Sequence, residues 1–149
     1  MSYNKILIAI DSSAYAMEAA KKGFKLAHQL KASIGLIYVI DKNKESLNAD
    51  LGITPDNSQA ILIRQAEENI TQMIKLYDGI DEVIQFTPEG LPQHEIIKIA
   101  KEWKADLIVI GTHGRTGLMH LLMGSVAEYI VRHSPLPVMV VPKIKSEYY

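Results

Sequence analysis

Short apolar runs alternate with stretches of helical spacing along most of this chain. Lys5 to Ile10 reads Lys-Ile-Leu-Ile-Ala-Ile, a continuous β-rich run. Such runs suit strands buried on both faces, as in parallel sheets. Asp11-Ser12-Ser13 follows, three good helix N-cap residues. A helix is expected from there to about Leu30, with Ala16, Ala19, Ala20, Phe24, Ala27 and Leu30 on one face. Ser33 to Ile40 reads as a second strand. Asp41 to Asn57 is polar, carries Gly52 and Pro55, and is expected to be a solvated connection or a lid. Ser58 to Tyr77 has helical spacing at Leu62, Ala66, Ile70, Met73 and Tyr77, and Gly79 stops it. Glu82 to Thr87 is a weaker, more polar strand, suited to a sheet edge. Gly90-Leu91-Pro92 opens a third helix, with Ile96, Ile97, Ala100 and Trp103 as its apolar face. Trp103 is expected to pack beside the next strand, Ala105 to Ile110. A helix over Ser125 to His133 and a strand over Pro137 to Val141 complete the pattern, and Pro142 ends it.

The order is therefore βα-βα-βα-βα-β. That alternation predicts an α/β fold, a doubly wound, Rossmann-like parallel sheet with helices on both faces. The expected strand order is 3-2-1-4-5, in one domain spanning 1–149 with no internal repeat. Ligands in such sheets sit beyond the carboxyl ends of the strands where the order reverses. Here that point lies between the first and fourth strands, so Asp11 and Gly111 should face one crevice. Composition sets limits on this picture. The chain is 48% hydrophobic and 22% charged, enough apolar material for a core. A net charge of −1 offers no basic excess for nucleic acid. No apolar run approaches the ~20 residues that cross a bilayer, and the first residues lack the features of a signal peptide. The absence of cysteine excludes disulfides and thiolate chemistry and fits a cytoplasmic location.

The richest candidate chemistry lies after the fourth strand. Gly111, Gly114, Gly117 and Gly124 cluster there, out of 9 glycines in the chain. Glycines let an anion approach backbone amides closely. Ser125 then starts a helix, whose free N–H groups and dipole favour phosphate. His113 and Arg115 could add donors or positive charge. Spacing alone also allows a plain glycine-rich turn with an N-cap serine. Asp11 likewise reads either as a ligand-facing acid or as a simple N-cap. The segment is not a Walker A loop, because no Gly-Lys-Ser/Thr appears, and it is not the usual Gly-x-Gly-x-x-Gly dinucleotide pattern. The 5 histidines show no metal-ligand spacing. His28 and His94 are expected to be ordinary helix residues. Met119, Leu121, Leu122 and Met123 suit simple packing, a hydrophobic lid or a dimer patch.

The segment matches the Gly-x2-Gly-x9-Gly-Ser/Thr pattern of the universal stress protein family as Gly111-x2-Gly114-x9-Gly124-Ser125. Other pieces resemble the same family in order and position. These are Lys5 to Asp11-x-Ser13, Gly90-x-Pro92-x3-Ile96, Ala105 to Gly111, and Ser134-Pro-Leu-Pro137-Val-Met-Val-Val-Pro142. The resemblance covers the chain except Asp41 to Asn57. It implies an ATP-binding member, with Mg²⁺ or Mn²⁺ on the phosphates and no metal ligand from protein side chains. Gly111, His113, Gly114, Arg115, Gly124 and Ser125 would hold ribose and phosphates. Asp11 would lie by the ribose or adenine, and the backbone of Val39 would read the adenine edge. Ala9, Ile10, Val126 and Ala127 would complete the wall. The family's C-terminal strand pairs across a two-fold axis, which implies a homodimer through Val138, Met139, Val140 and Val141.

Dedicated catalysis is not expected. No residue stands out as a base aimed at a γ-phosphate, so at most slow hydrolysis is implied and no catalytic residue is assigned. One alternative is a nucleotide-independent dimeric interaction module. Another is a nucleotidyltransferase-type enzyme on a related fold, disfavoured because Asp11-Ser-Ser-Ala-Tyr15 lacks a His-x-x-His motif. A receiver-domain reading fails because Phe86-Thr-Pro88 stands where a phosphoacceptor Asp would be needed.

Overall fold

The computed structural model describes residues 2–41, 55–77, 82–113 and 123–142. Its elements run β1 (Lys5–Ile10), α1 (Ala14–Leu30), β2 (Ser33–Tyr38), α2 (Pro55–Ile74), β3 (Val83–Phe86), α3 (Pro92–Trp103), β4 (Leu107–Gly111), α4 (Ser125–His133) and β5 (Val138–Val141). The sheet is five-stranded, in the order β3-β2-β1-β4-β5, and every pairing is parallel. β1 lies between β2 and β4, so the strand order reverses there as the sequence pattern predicts.

Alternation along β1 explains the two layers. Ile6, Ile8 and Ile10 point into one core, with Ala19, Ala20 and Phe24 of α1 and Ala66, Ile70 and Met73 of α2. Leu7 and Ala9 point into the other, with Ile96 and Ala100 of α3 and Ala127 and Ile130 of α4. Ile6, Leu7, Ile8, Ile34 and Leu36 are fully buried. Each such side chain contributes about 1.5–3 kcal/mol of transfer free energy. A strand buried on both faces cannot alternate polar with apolar residues, which is why β1, β2 and β4 read as continuous apolar runs. β3 is an edge strand, and Ile84 and Gln85 are exposed on it.

The structure moves several boundaries and contacts. α2 begins at Pro55, three residues before the sequence pattern places it. Proline lacks the N–H that the first helical turn leaves unpaired, so it starts a helix as readily as it ends one. Leu30 is 43% exposed rather than on the buried face of α1. The helix stops at Lys31, whose φ of 55 turns the chain, and Ala32 takes the buried place while donating its N–H to Ala27 O at 2.9 Å. Trp103 joins the core layer that holds Ile108 and Ile110 of β4, as expected, and also packs over β2 and β3. Its ring is 5.6 Å from that of Phe86, and a Cβ on Gly35 would meet Trp103 Cζ3 at 2.9 Å. The missing side chain in the middle of β2 is the seat of the indole. The start of β1 is tied to this corner. Asp106 Oδ2 accepts from the Asn4 and Lys5 amides at 2.7 and 2.9 Å, and Lys5 Nζ donates to Trp103 O at 3.2 Å.

Candidate functional site

A cavity of about 330 Å³ opens beyond the carboxyl ends of β1, β2 and β4. Ala9, Ile10, Asp11, Val39, Gly111, His113, Gly124, Ser125, Val126 and Ala127 all line it. Every residue the sequence selects for the nucleotide site within the described part of the chain thus lines one cavity. Gly114 and Arg115 lie outside the described residues, as do Gly117, Met119, Leu121 and Leu122. The cavity has two ends, because β2 and β4 flank β1 on opposite sides.

The β4 end is built from backbone. Gly124 is the N-cap of α4 and makes no side-chain cap. The first intrahelical bond of α4 runs from Glu128 N to Gly124 O at 2.9 Å. The amides of Ser125, Val126 and Ala127 therefore have no acceptor within the helix, and all three residues line the cavity. Three free N–H groups at the positive end of a helix dipole form an anion seat. Gly124 N itself donates to Thr112 O at 2.7 Å, which pins the start of α4 to the end of β4. Gly111 lines the cavity and also makes room for a neighbour. A Cβ there would lie 2.9 Å from Tyr15 O, so the glycine lets the first turn of α1 close onto β4. His113 stands at this end with its ring 5.1 Å from that of Tyr15.

Asp11 occupies the middle. Its Oδ1 accepts the Ser13 amide at 2.8 Å, and Ser13 caps α1 by accepting the Ala16 amide at 3.3 Å. The N-cap amide and one first-turn amide of α1 are thus taken up by its own side chains. Asp11 is both a turn-former and a cavity residue, because Oδ2 carries no hydrogen bond among the described residues. An acceptor in that place suits the hydroxyls of a sugar.

The β2 end was legible only through Val39. Ile40 donates its N–H to Pro88 O at 2.8 Å and accepts from Gly90 N at 3.0 Å. Both of its backbone groups thus turn toward β3's side. Neighbouring residues of an extended chain turn to opposite sides, and Ser33 N–H indeed donates to Asn4 O before β1. The Val39 groups therefore face β1's side, and β1 leaves the ladder at Ile10, paired with Tyr38. The Val39 carbonyl is the first β2 acceptor beyond the end of β1. Around it lie Ile40, Asp41, Leu62 of α2, and Leu91, Pro92, Gln93 and Ile96 at the start of α3. None of these but Val39 was expected at the site. The tie of Ile40 to residues 88–90 brings the start of α3 to the cavity, and that tie is a long-range contact with no local signature. Among the described residues, no group of three or more His, Asp or Glu could hold a metal ion, and no helix is long and apolar enough to cross a membrane.

Known proteins resemble this chain in sequence and fold. The chain is 35% identical to universal stress protein MJ0531 of Methanocaldococcus jannaschii, over 97% of this chain and 85% of that protein. It is 32% identical to MJ0577 of the same organism, over 97% and 98%. The solved structure of MJ0577 superposes with a TM-score of 0.85 at 29% identity, covering 98% of this chain and all of that one. A universal stress protein of Archaeoglobus fulgidus, solved in complex with dAMP, shares the fold at a TM-score of 0.67 and 19% identity, covering 95% of this chain and 99% of its own. The Universal stress protein family itself matches residues 2–142. That span carries both ends of the cavity and every strand of the sheet, and with these relatives it shows that the chain belongs to the universal stress protein family.

Proposed function

We propose that this protein binds ATP in the cavity and acts as a nucleotide-dependent regulatory or stress-response homodimer, with at most slow hydrolysis. The observation that carries the reading is the open start of α4, facing Asp11 across one cavity. Phosphates would sit on the amides of Ser125, Val126 and Ala127, with Gly124 and His113 beside them. Gly114 and Arg115 would complete that end, since the sequence keeps the full glycine spacing of the family. The ribose would meet Asp11, and the adenine edge would meet the Val39 backbone between Ala9, Ile10 and the β2-end residues. The dAMP complex of the Archaeoglobus fulgidus protein supports an adenine nucleotide for this fold. Mg²⁺ or Mn²⁺ would ride on the phosphates with water completing its shell.

Dimerisation through β5 rests on the sheet order. β5 is the edge opposite β3, and Val138, Met139 and Val140 are only half-buried on it. An apolar edge strand needs a cover or a partner. Calorimetric titration with ATP and GTP, with and without Mg²⁺, tests the ligand. Saturable ATP binding is expected, and none at millimolar ATP would sink it. Sedimentation of the wild type and of Val140→Lys tests the dimer. A monomeric wild type would exclude it, and a variant that stays dimeric would move the interface away from β5.

A further inference from the structure

We infer that Gln93 reads the base of the bound nucleotide and, with the Val39 carbonyl, sets its preference for adenine over guanine. This rests on the ATP reading above. The anion seat at α4 fixes one end of the ligand, and Asp11 fixes the middle. The base must then extend toward the β2 end, where Val39, Ile40, Leu62, Leu91 and Gln93 line the cavity.

Gln93 brings a carboxamide to that end, with two N–H donors and an acceptor oxygen side by side. It is half-buried, and its amide makes no hydrogen bond among the described residues. Its position is well held. Pro92 fixes the first turn of α3, and Leu91 O accepts the His94 and Glu95 amides at 3.0 Å each. The next residue, His94, turns away to meet Tyr129, ring to ring at 5.3 Å.

The two reading groups differ in kind. A backbone carbonyl only accepts, so Val39 suits the 6-amino group of adenine and opposes the 6-oxo group of guanine. A glutamine amide accepts and donates side by side, which matches an amino group next to a ring nitrogen. The amide can rotate and serve either purine, but the fixed carbonyl selects the orientation that fits adenine. A glutamate at 93 could only accept. It would face the ring-nitrogen lone pair of adenine, yet would suit the N1–H and 2-amino donors of guanine.

The test titrates wild type, Gln93→Met and Gln93→Glu with ATP, GTP and inorganic triphosphate. Gln93→Met should weaken ATP about tenfold, and Gln93→Glu should lower the ATP-to-GTP affinity ratio by about 10- to 100-fold, in the range of one bidentate base contact. Triphosphate affinity should be unchanged in Gln93→Met. A carboxylate in the first turn favours the helix dipole, so Gln93→Glu should fold normally. A ratio within about twofold of wild type in both variants, a change of under 0.5 kcal/mol, would overturn the role of Gln93 while leaving ATP binding intact. A wild type that binds triphosphate but not ATP would overturn both readings.

Discussion

The two ends of the cavity are made of opposite materials. At the β4 end the working parts are backbone amides, and the side chains contribute chiefly by being absent or small. At the β2 end the Val39 backbone is walled by side chains from α2 and α3, the latter brought in by the tie between Ile40 and residues 88–90. The difference follows from what each end would bind. An anion needs several N–H groups within reach of one point, and a helix start supplies them without any particular side chain. A flat base needs apolar walls and a few directional groups at its edge. The three helix starts near the crevice sharpen the contrast. At α1, Ser13 takes the Ala16 amide and Asp11 the Ser13 amide, and α3 begins with a proline that has no N–H to offer. Of these three starts, α4 alone presents three amides with no acceptor among the described residues.

The strongest way to break this comparison is to fill the β4 end. Gly124 has φ −71 and ψ 162, values open to any residue. Gly124→Val should therefore fold, at a stability cost below about 1 kcal/mol. Its side chain would cover the amides of the first turn, and ATP affinity should fall by at least about 100-fold, or 2.7 kcal/mol. Calorimetry beside a thermal melt separates the two effects. Unchanged affinity would mean that the start of α4 is not the anion seat.

Gly111 should behave in the opposite way although it belongs to the same motif. Its added Cβ meets the Tyr15 carbonyl, which is backbone and has little room to retreat. Gly111→Ala is expected to cost about 1–3 kcal/mol of stability, as overpacking does. Any lost ATP affinity should then accompany a shifted α1. A stable Gly111→Ala protein with abolished binding would return Gly111 to direct ligand contact.

These glycines also show what could be read from the sequence. The motif picked out Gly111 and Gly124, and both line the cavity, but spacing could not separate one that makes room for α1 from one that caps α4 without a side chain. The strand order was legible because β1, β2 and β4 are buried on both faces and read as unbroken apolar runs. Asp11 was legible because it ends one of those runs. Gln93, Leu91 and Leu62 were not, because each has an ordinary helical surroundings in the sequence. Their place at the cavity depends on which loop pairs with the end of β2. The seat of Trp103 was hidden for the same reason, since it is a glycine on a strand three elements earlier.

Asp11 joins the two ends and should give an intermediate effect. Asp11→Asn keeps an Oδ1 that can accept the Ser13 amide, so the cap of α1 survives. It loses the charge that strengthens a hydrogen bond to a sugar hydroxyl. ATP affinity should fall about tenfold, or 1.4 kcal/mol, with the melting midpoint nearly unchanged. Asp11→Ala should lose both. Equal affinities for wild type and Asp11→Asn would reduce Asp11 to its turn-forming role.

The smallest effect is expected at the outer tie of the β2 end, and it tests how that end is held. Gln59 Nε2 of α2 donates to Glu89 Oε1 at 3.0 Å, and Glu89 is the bridge partner of Ile40. The bond is exposed, so its net contribution is bounded at about 0.5–1.5 kcal/mol, with the low end expected where water competes. The inner tie, Ile40 to Pro88 and Gly90, is backbone and does not depend on it. Gln59→Ala should therefore leave triphosphate affinity untouched and weaken ATP by no more than about threefold, or 0.7 kcal/mol. That result would mean that the backbone tie alone fixes the base end, with α2 adding only the wall at Leu62. A tenfold or larger loss of ATP affinity with unchanged triphosphate binding would instead make α2 a structural support for base recognition. The two ends of the cavity would then differ in how far their support extends into the fold, as well as in what they are made of.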